Sequence, residues 1–141
     1  MNAADELEKK IRRHPRLAYE RLGDHIRIPA PNDRGFPITF DQHQDGWLVS
    51  FGDGGMHEHF EAADEALEFV AFGLSTACRL RVVRTLFLHR SYVEKRNASS
   101  WASVMEVGVL CFPLTITPKE SLFQNDLIVI DESENSGDHV G

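Results

Sequence analysis

The chain has only two cysteines in 141 residues, Cys78 and Cys111. That count excludes a disulfide-stapled scaffold and any zinc motif built on paired Cys-x-x-Cys. Both thiols lie in apolar, strand-like runs and read as buried free cysteines. No apolar run approaches the roughly 18 residues of a membrane helix. The opening MNAADELEKKIRRHPRL is too charged for a secretory leader. A reducing cytoplasm is the expected compartment, and the sequon-like Asn97-Ala98-Ser99 then carries no weight. No serine sits in a Gly-x-Ser-x-Gly elbow. The glycines at 52–55 lack the later Gly-Lys-Ser/Thr of a phosphate loop and do not open a helix as a dinucleotide loop must. No nucleophile is paired in the sequence with His43 or His89 as a base. The expectation is a protein without enzymatic activity and without a cofactor.

What the chain does have is acid. Asp and Glu number 22 against 15 Lys and Arg, a net charge of −7. The charge is unevenly spread: residues 24–76 carry ten acids against two bases, and residues 77–100 carry six bases against one acid. A net acidic surface disfavours nucleic acid and anionic membrane and favours a basic partner.

Helix formers with early acids and late bases predict a first helix over ADELEKKIRR, with Leu7 and Ile11 on its apolar stripe. Its bases Lys9, Lys10, Arg12, Arg13 and Arg16 read as a solvated face. Pro15 breaks that helix or begins a second turn of helix over PRLAYERLG, with Gly23 as its cap. HIRI reads as a short strand. FPITFDQ and GWLVSFG follow as a hairpin around Asp45-Gly46, and MHEHF reads as a third strand after the GDGG turn. Ala63, Ala66, Leu67, Val70, Ala71 and Leu74 recur at helical spacing and predict a central helix near 62–74, ended by Gly73 in a left-handed cap. ACRLRVVRTLFLHRSYVEKR reads as one long, bent or bulged strand. WASVMEVGVLCFPL reads as a central strand and LIVI as a last short one.

Two constellations invite chemistry. His57 and His59, at i and i+2 on a strand, point the same way and are close enough to share one metal ion. With the glycines before them they are similar to the first motif of cupins. Glu61, Asp64 and Glu65 miss the cupin glutamate offset, the segment that follows reads as helix, and no second cupin motif appears. The alternative is that both histidines lie on the exposed face of a short strand. The second constellation is basic: Arg79, Arg81 and Arg84, then Arg90, Lys95 and Arg96. A single-strand nucleic-acid platform would need aromatics interleaved on that face, and only Tyr92 and Phe87 offer themselves. A sheet face paired with acidic neighbours is the simpler reading.

The sequence therefore predicts an α+β protein: a mostly antiparallel twisted sheet of about 5–7 strands, a central helix near 62–74 and an N-terminal helix packed on one face. Residues 1–131 form one domain and 132–141 a mobile acidic tail. The expected function is a non-enzymatic protein-binding module, such as an immunity-type inhibitor of a basic toxin, with Asp41, Asp45 and Asp53 at the meander turns as contact residues. The alternatives are a metal site on His57 and His59, and a self-assembling subunit. Long strands with open edges favour a homodimer. No nucleic acid, membrane or metal is expected as a partner.

Overall fold

The computed structural model describes residues 2–52, 56–84, 88–110 and 119–128. Asp53, Phe87, Cys111 and the expected tail at 132–141 lie outside the described residues. The protein is α+β, with two helices and two antiparallel sheets. Helix α1 spans Ala3–Arg12. Asn2 caps it: its side chain accepts from the Asp5 N–H, and the Asp5 carboxylate accepts from the Asn2 N–H. This reciprocal pairing satisfies two orphan donors of the first turn.

A five-stranded sheet follows in simple meander order: β1 (Glu20–Leu22), β2 (His25–Ile28), β3 (Ile38–His43), β4 (Gly46–Phe51) and β5 (Met56–Phe60). Period-two alternation sends Ile26, Ile28, Ile38, Phe40, Val49 and Phe51 into the core. The second helix expected over PRLAYERLG does not form. Its C-terminal part is β1, and Gly23, with φ +62°, turns β1 into β2. Tertiary contacts override propensity there, because Arg21 reaches back to Asp5 at 2.9 Å and Glu8 at 3.2 Å. The β3–β4 turn is centred one residue earlier than Asp45-Gly46. Gln44 takes the positive φ, and Gly46 opens β4 in register with His43.

Helix α2 spans Ala63–Leu74 and packs on β3, β4, β5, β6 and α1. Its stripe of Ala66, Leu67, Val70 and Leu74 is buried, as the spacing predicts. Gly73 is not its cap. It lies inside the helix, buried, where a Cβ would meet Phe51 Cζ at 2.5 Å and Ile38 Cδ1 at 2.9 Å. The helix ends instead at Ser75, whose backbone is extended and whose hydroxyl donates to the Phe72 carbonyl at 2.7 Å.

The basic stretch is two strands rather than one bent strand. β6 (Cys78–Arg84) and β7 (Leu88–Asn97) pair antiparallel, and β8 (Ser100–Leu110) pairs with β7 across a two-residue turn at Ala98-Ser99. The sheet order is β8-β7-β6-β9, so β8 is an edge strand among the described residues and not a central one. The sequence reading missed β9 (Lys119–Phe123), which pairs with β6. The expected LIVI strand reduces to a parallel bridge between Ile128 and Ser75, with residues 129–130 outside the description.

Cys78, Leu80 and Val93 of the second sheet join the same buried cluster as α1, α2 and the first sheet. The segment between β9 and Ile128 seals the join. Asn125, buried, accepts from the Phe36 N–H at 2.8 Å and donates to the Gly73 carbonyl at 3.1 Å. The Leu127 and Ile128 N–H groups both donate to the Leu74 carbonyl. Burial pushes the Cys78 thiol far above its ordinary range, which leaves it protonated and inert.

Candidate functional site

Asp41 is not in a turn. It lies within β3, opposite Leu48, with its carboxylate 3.5 Å from His25 Nδ1. Asp45 is exposed in the β3–β4 turn. Gly52 lies past the other end of β4, a strand that spans about 17 Å at a rise of 3.4 Å per residue. The fold thus puts Asp45 and Gly52 at opposite ends of β4.

His57 and His59 are exposed on β5, as expected for one face of a short strand. The strand register places His25, His43, His57 and His59 on the outer face of the first sheet. Gly46 makes room there: a side chain at that position would run into the His59 ring and the Phe60 carbonyl. The His59 ring therefore crosses β4, where its Nε2 lies 3.3 Å from the His43 carbonyl and the two rings meet edge to face at 6.1 Å. Among the described residues no group of three or more His, Cys, Asp or Glu is arranged to hold a metal ion. Helix α2 also begins at Ala63, where a cupin barrel would continue with a strand.

The outer face of the second sheet is an ordered polar array. Glu94, only 6% exposed, lies between two arginines: Arg79 Nε donates to Oε1 at 2.6 Å and Arg81 Nε to Oε2 at 3.2 Å. Each guanidinium also lies over an aromatic ring, Arg79 on Trp101 at 4.4 Å and Arg81 on Tyr92 at 4.2 Å. Glu120 on β9 closes the row, 3.5 Å from Arg81. The Arg81 guanidinium has its pKa raised: burial works against the charged form, but the carboxylates of Glu94 and Glu120 outweigh it. The chain's own cations thus cover the aromatic faces that a nucleobase would need. Arg84 is placed differently. Its Nε is buried without a hydrogen-bond partner among the described residues.

A cluster of acids without ion-pair partners among the described residues lies elsewhere, at the corner where β5 runs into α2. Glu58, Glu61, Asp64, Glu65 and Glu68 are all exposed. Among the described residues none is within ion-pair distance of a base, whereas in α1 Glu6 faces Lys10, Glu8 faces Arg12 and Arg21, and Asp5 faces Arg21. Helical spacing puts Asp64 next to Glu68 on one stripe, a like-charge pair that costs about 0.2–0.5 kcal/mol. The helix dipole offsets part of this for Asp64 and Glu65 in the first turn. Behind the stripe lie half-buried rings, with Phe69 stacked on Phe51 at 4.5 Å and tilted against Phe60 at 5.3 Å. The sequence shows four of these acids, Glu61, Asp64, Glu65 and Glu68, around the first half of the helix, where the dipole favours them. Their lack of counter-ions is a tertiary fact.

The described helices include none long and apolar enough to cross a membrane. Compared with protein-family models, curated proteins and solved structures, the chain matches none.

Proposed function

We propose that the protein is a non-enzymatic binding module for a basic protein partner, acting in the cytoplasm in the manner of an immunity-type inhibitor. One observation carries this reading: among the described residues the exposed acids Glu58, Glu61, Asp64, Glu65 and Glu68 have no cation paired to them, in a chain whose first helix has its acids paired to nearby bases. Unpaired carboxylates on a rigid helix project a field that steers a cationic partner and have no internal bridge to break on docking. Asp41 and Asp45 extend the same sign of charge along the first sheet.

The test uses two immobilised baits, the wild-type protein and a Glu61→Lys, Glu65→Lys, Glu68→Lys variant with an unchanged circular dichroism spectrum. A basic prey held by the wild type, released by salt and lost on the variant supports the proposal. A prey held equally by both, or an acidic one, rejects it. Association kinetics at two ionic strengths refine the result, because steering shows in the on-rate more than in the off-rate.

A second reading, self-association, has its own observation. β8 is an eleven-residue edge strand with Val104 half exposed beside the register shift at Val93/Glu94, and its outer edge pairs with no strand among the described residues. Light scattering of the wild type and of Val104→Lys distinguishes a β8-mediated dimer from a monomer.

A further inference from the structure

Where α1 crosses α2 the surface opens into a cleft of about 220 Å³. Its walls are Leu7 and Ile11 from α1 and Leu67, Val70 and Leu74 from α2. Its rim carries Lys10, Arg13 and His14, and among the described residues no carboxylate lines it. In a chain with 22 acids and 15 Lys and Arg, an apolar cleft whose charged edge, among the described residues, is basic is a local reversal of charge. Arg13 has no ion-pair partner among the described residues, and Lys10 has only an exposed bridge to Glu6 at 3.6 Å, a contact of little strength. The cleft is larger than the roughly 150 Å³ that accommodates a benzene ring. At about 30 Å³ for each water-sized group it takes an acyl chain of roughly seven carbons. Apolar walls with a few convergent charges at one end are the usual make-up of a small-ligand site.

We propose that this cleft binds a medium-chain fatty carboxylate, its acyl chain against Leu7, Val70 and Leu74 and its carboxylate at Lys10 and Arg13. The ligand chemistry follows from the charge reversal: a neutral amphiphile would have no use for the rim, and a cationic one would be repelled by it.

Calorimetric titration of the full chain with octanoate tests the proposal, with octan-1-ol as the uncharged comparator. Octanoate should saturate a single site and bind about tenfold or more tightly than octanol. Lys10→Gln with Arg13→Gln should weaken octanoate by about tenfold while leaving octanol unchanged. Ala71→Trp, at an exposed position on the cleft wall, should abolish both without moving the thermal midpoint. Three results would each overturn the proposal. One is the absence of saturable octanoate binding to the wild type, and another is equal affinity for the alcohol. The third is a concentration-dependent dimer that octanoate dissociates, which would make a second copy of the chain the natural occupant.

Discussion

Gly73→Ala sets two effects of opposite sign against each other. In a solvated helix the change gains about 1 kcal/mol, because alanine loses less backbone freedom than glycine. At this position the new Cβ falls 2.5 Å from Phe51 Cζ, 2.7 Å from Phe51 Cε1 and 2.9 Å from Ile38 Cδ1. Phe51 has no room to yield: it is 1% exposed, stacked on Phe69 at 4.5 Å with ring planes 5° apart, and tilted against Phe36 at 5.4 Å. Overpacking of a filled core costs about 1–3 kcal/mol, and a ring fixed on both faces puts this case near the top of that range. The net expectation is a loss of about 2 kcal/mol, which in a chain of this length lowers the thermal midpoint by roughly 6–8 °C. Urea titration gives the free energy directly. The decisive measurement is the cycle with Phe51→Leu, which removes the obstructing ring edge. In that background Gly73→Ala should cost about 1 kcal/mol less than in the wild type. Wild-type stability in the single variant, or a cycle without coupling, would refute the close-approach argument and return Gly73 to a capping role.

Glu94→Gln removes the charge that holds Arg79 and Arg81, whose side chains are still partly hydrated; it should cost about 1–3 kcal/mol by urea titration, less than the 3–5 kcal/mol typical of a fully buried pair. Leu67→Ala, on the buried stripe of α2 and on the cleft wall, should cost about 2–4 kcal/mol by the same assay. The Arg21 guanidinium, with the Asn2 N–H, holds the Asp5 carboxyl below its ordinary 3.8. A lowered folded pKa gives stability that is present above the unfolded value and lost as pH falls through the folded one. The stability difference between wild type and Arg21→Gln should therefore be full near neutral pH and shrink as pH falls below 3.8 in a pH series of thermal melts.

The parts of this fold that were legible in the sequence are those whose pattern is local. The alternation in GWLVSF and the helical spacing from Ala63 to Leu74 each specify their own element, and both formed where expected. Where the deciding contact is distant, the sequence reading erred. Residues 20–22 have helix formers, yet they form a strand held by Arg21 to an earlier helix. Residues 78–97 show no Gly, Pro or Asp at 85–87, so the break between β6 and β7 gave no turn signal. KESLF carries only two apolar residues, adjacent at its end, and its register with β6 makes it a strand. The candidate surface was half legible: the acids are plain in the sequence, but whether an acid is paired depends on which bases the fold brings near it. Arg79 and Arg81 are spoken for by Glu94, which is 15 and 13 residues away along the chain but directly across the sheet from Arg79 and diagonal to Arg81.

The seal made by Asn125 also sets an order of events. Phe36 and Asn125 are 89 residues apart, and Gly73 and Asn125 are 52 apart. A chain elongated only as far as residue 123 already contains both helices and all nine strands of the described residues, yet the Phe36 N–H and the Leu74 carbonyl still lack their partners from residues 125–128. Closing such long loops is slow, because the entropy is lost before the contacts form. The meander and α2 can therefore assemble early, while the join to the second sheet waits for the last described residues. During that interval the strand edges and the unsealed join between the two sheets are open to neighbouring chains. Synthesis slower than meander formation, followed by quick delivery of residues 124–128, is the regime in which this topology best avoids aggregation.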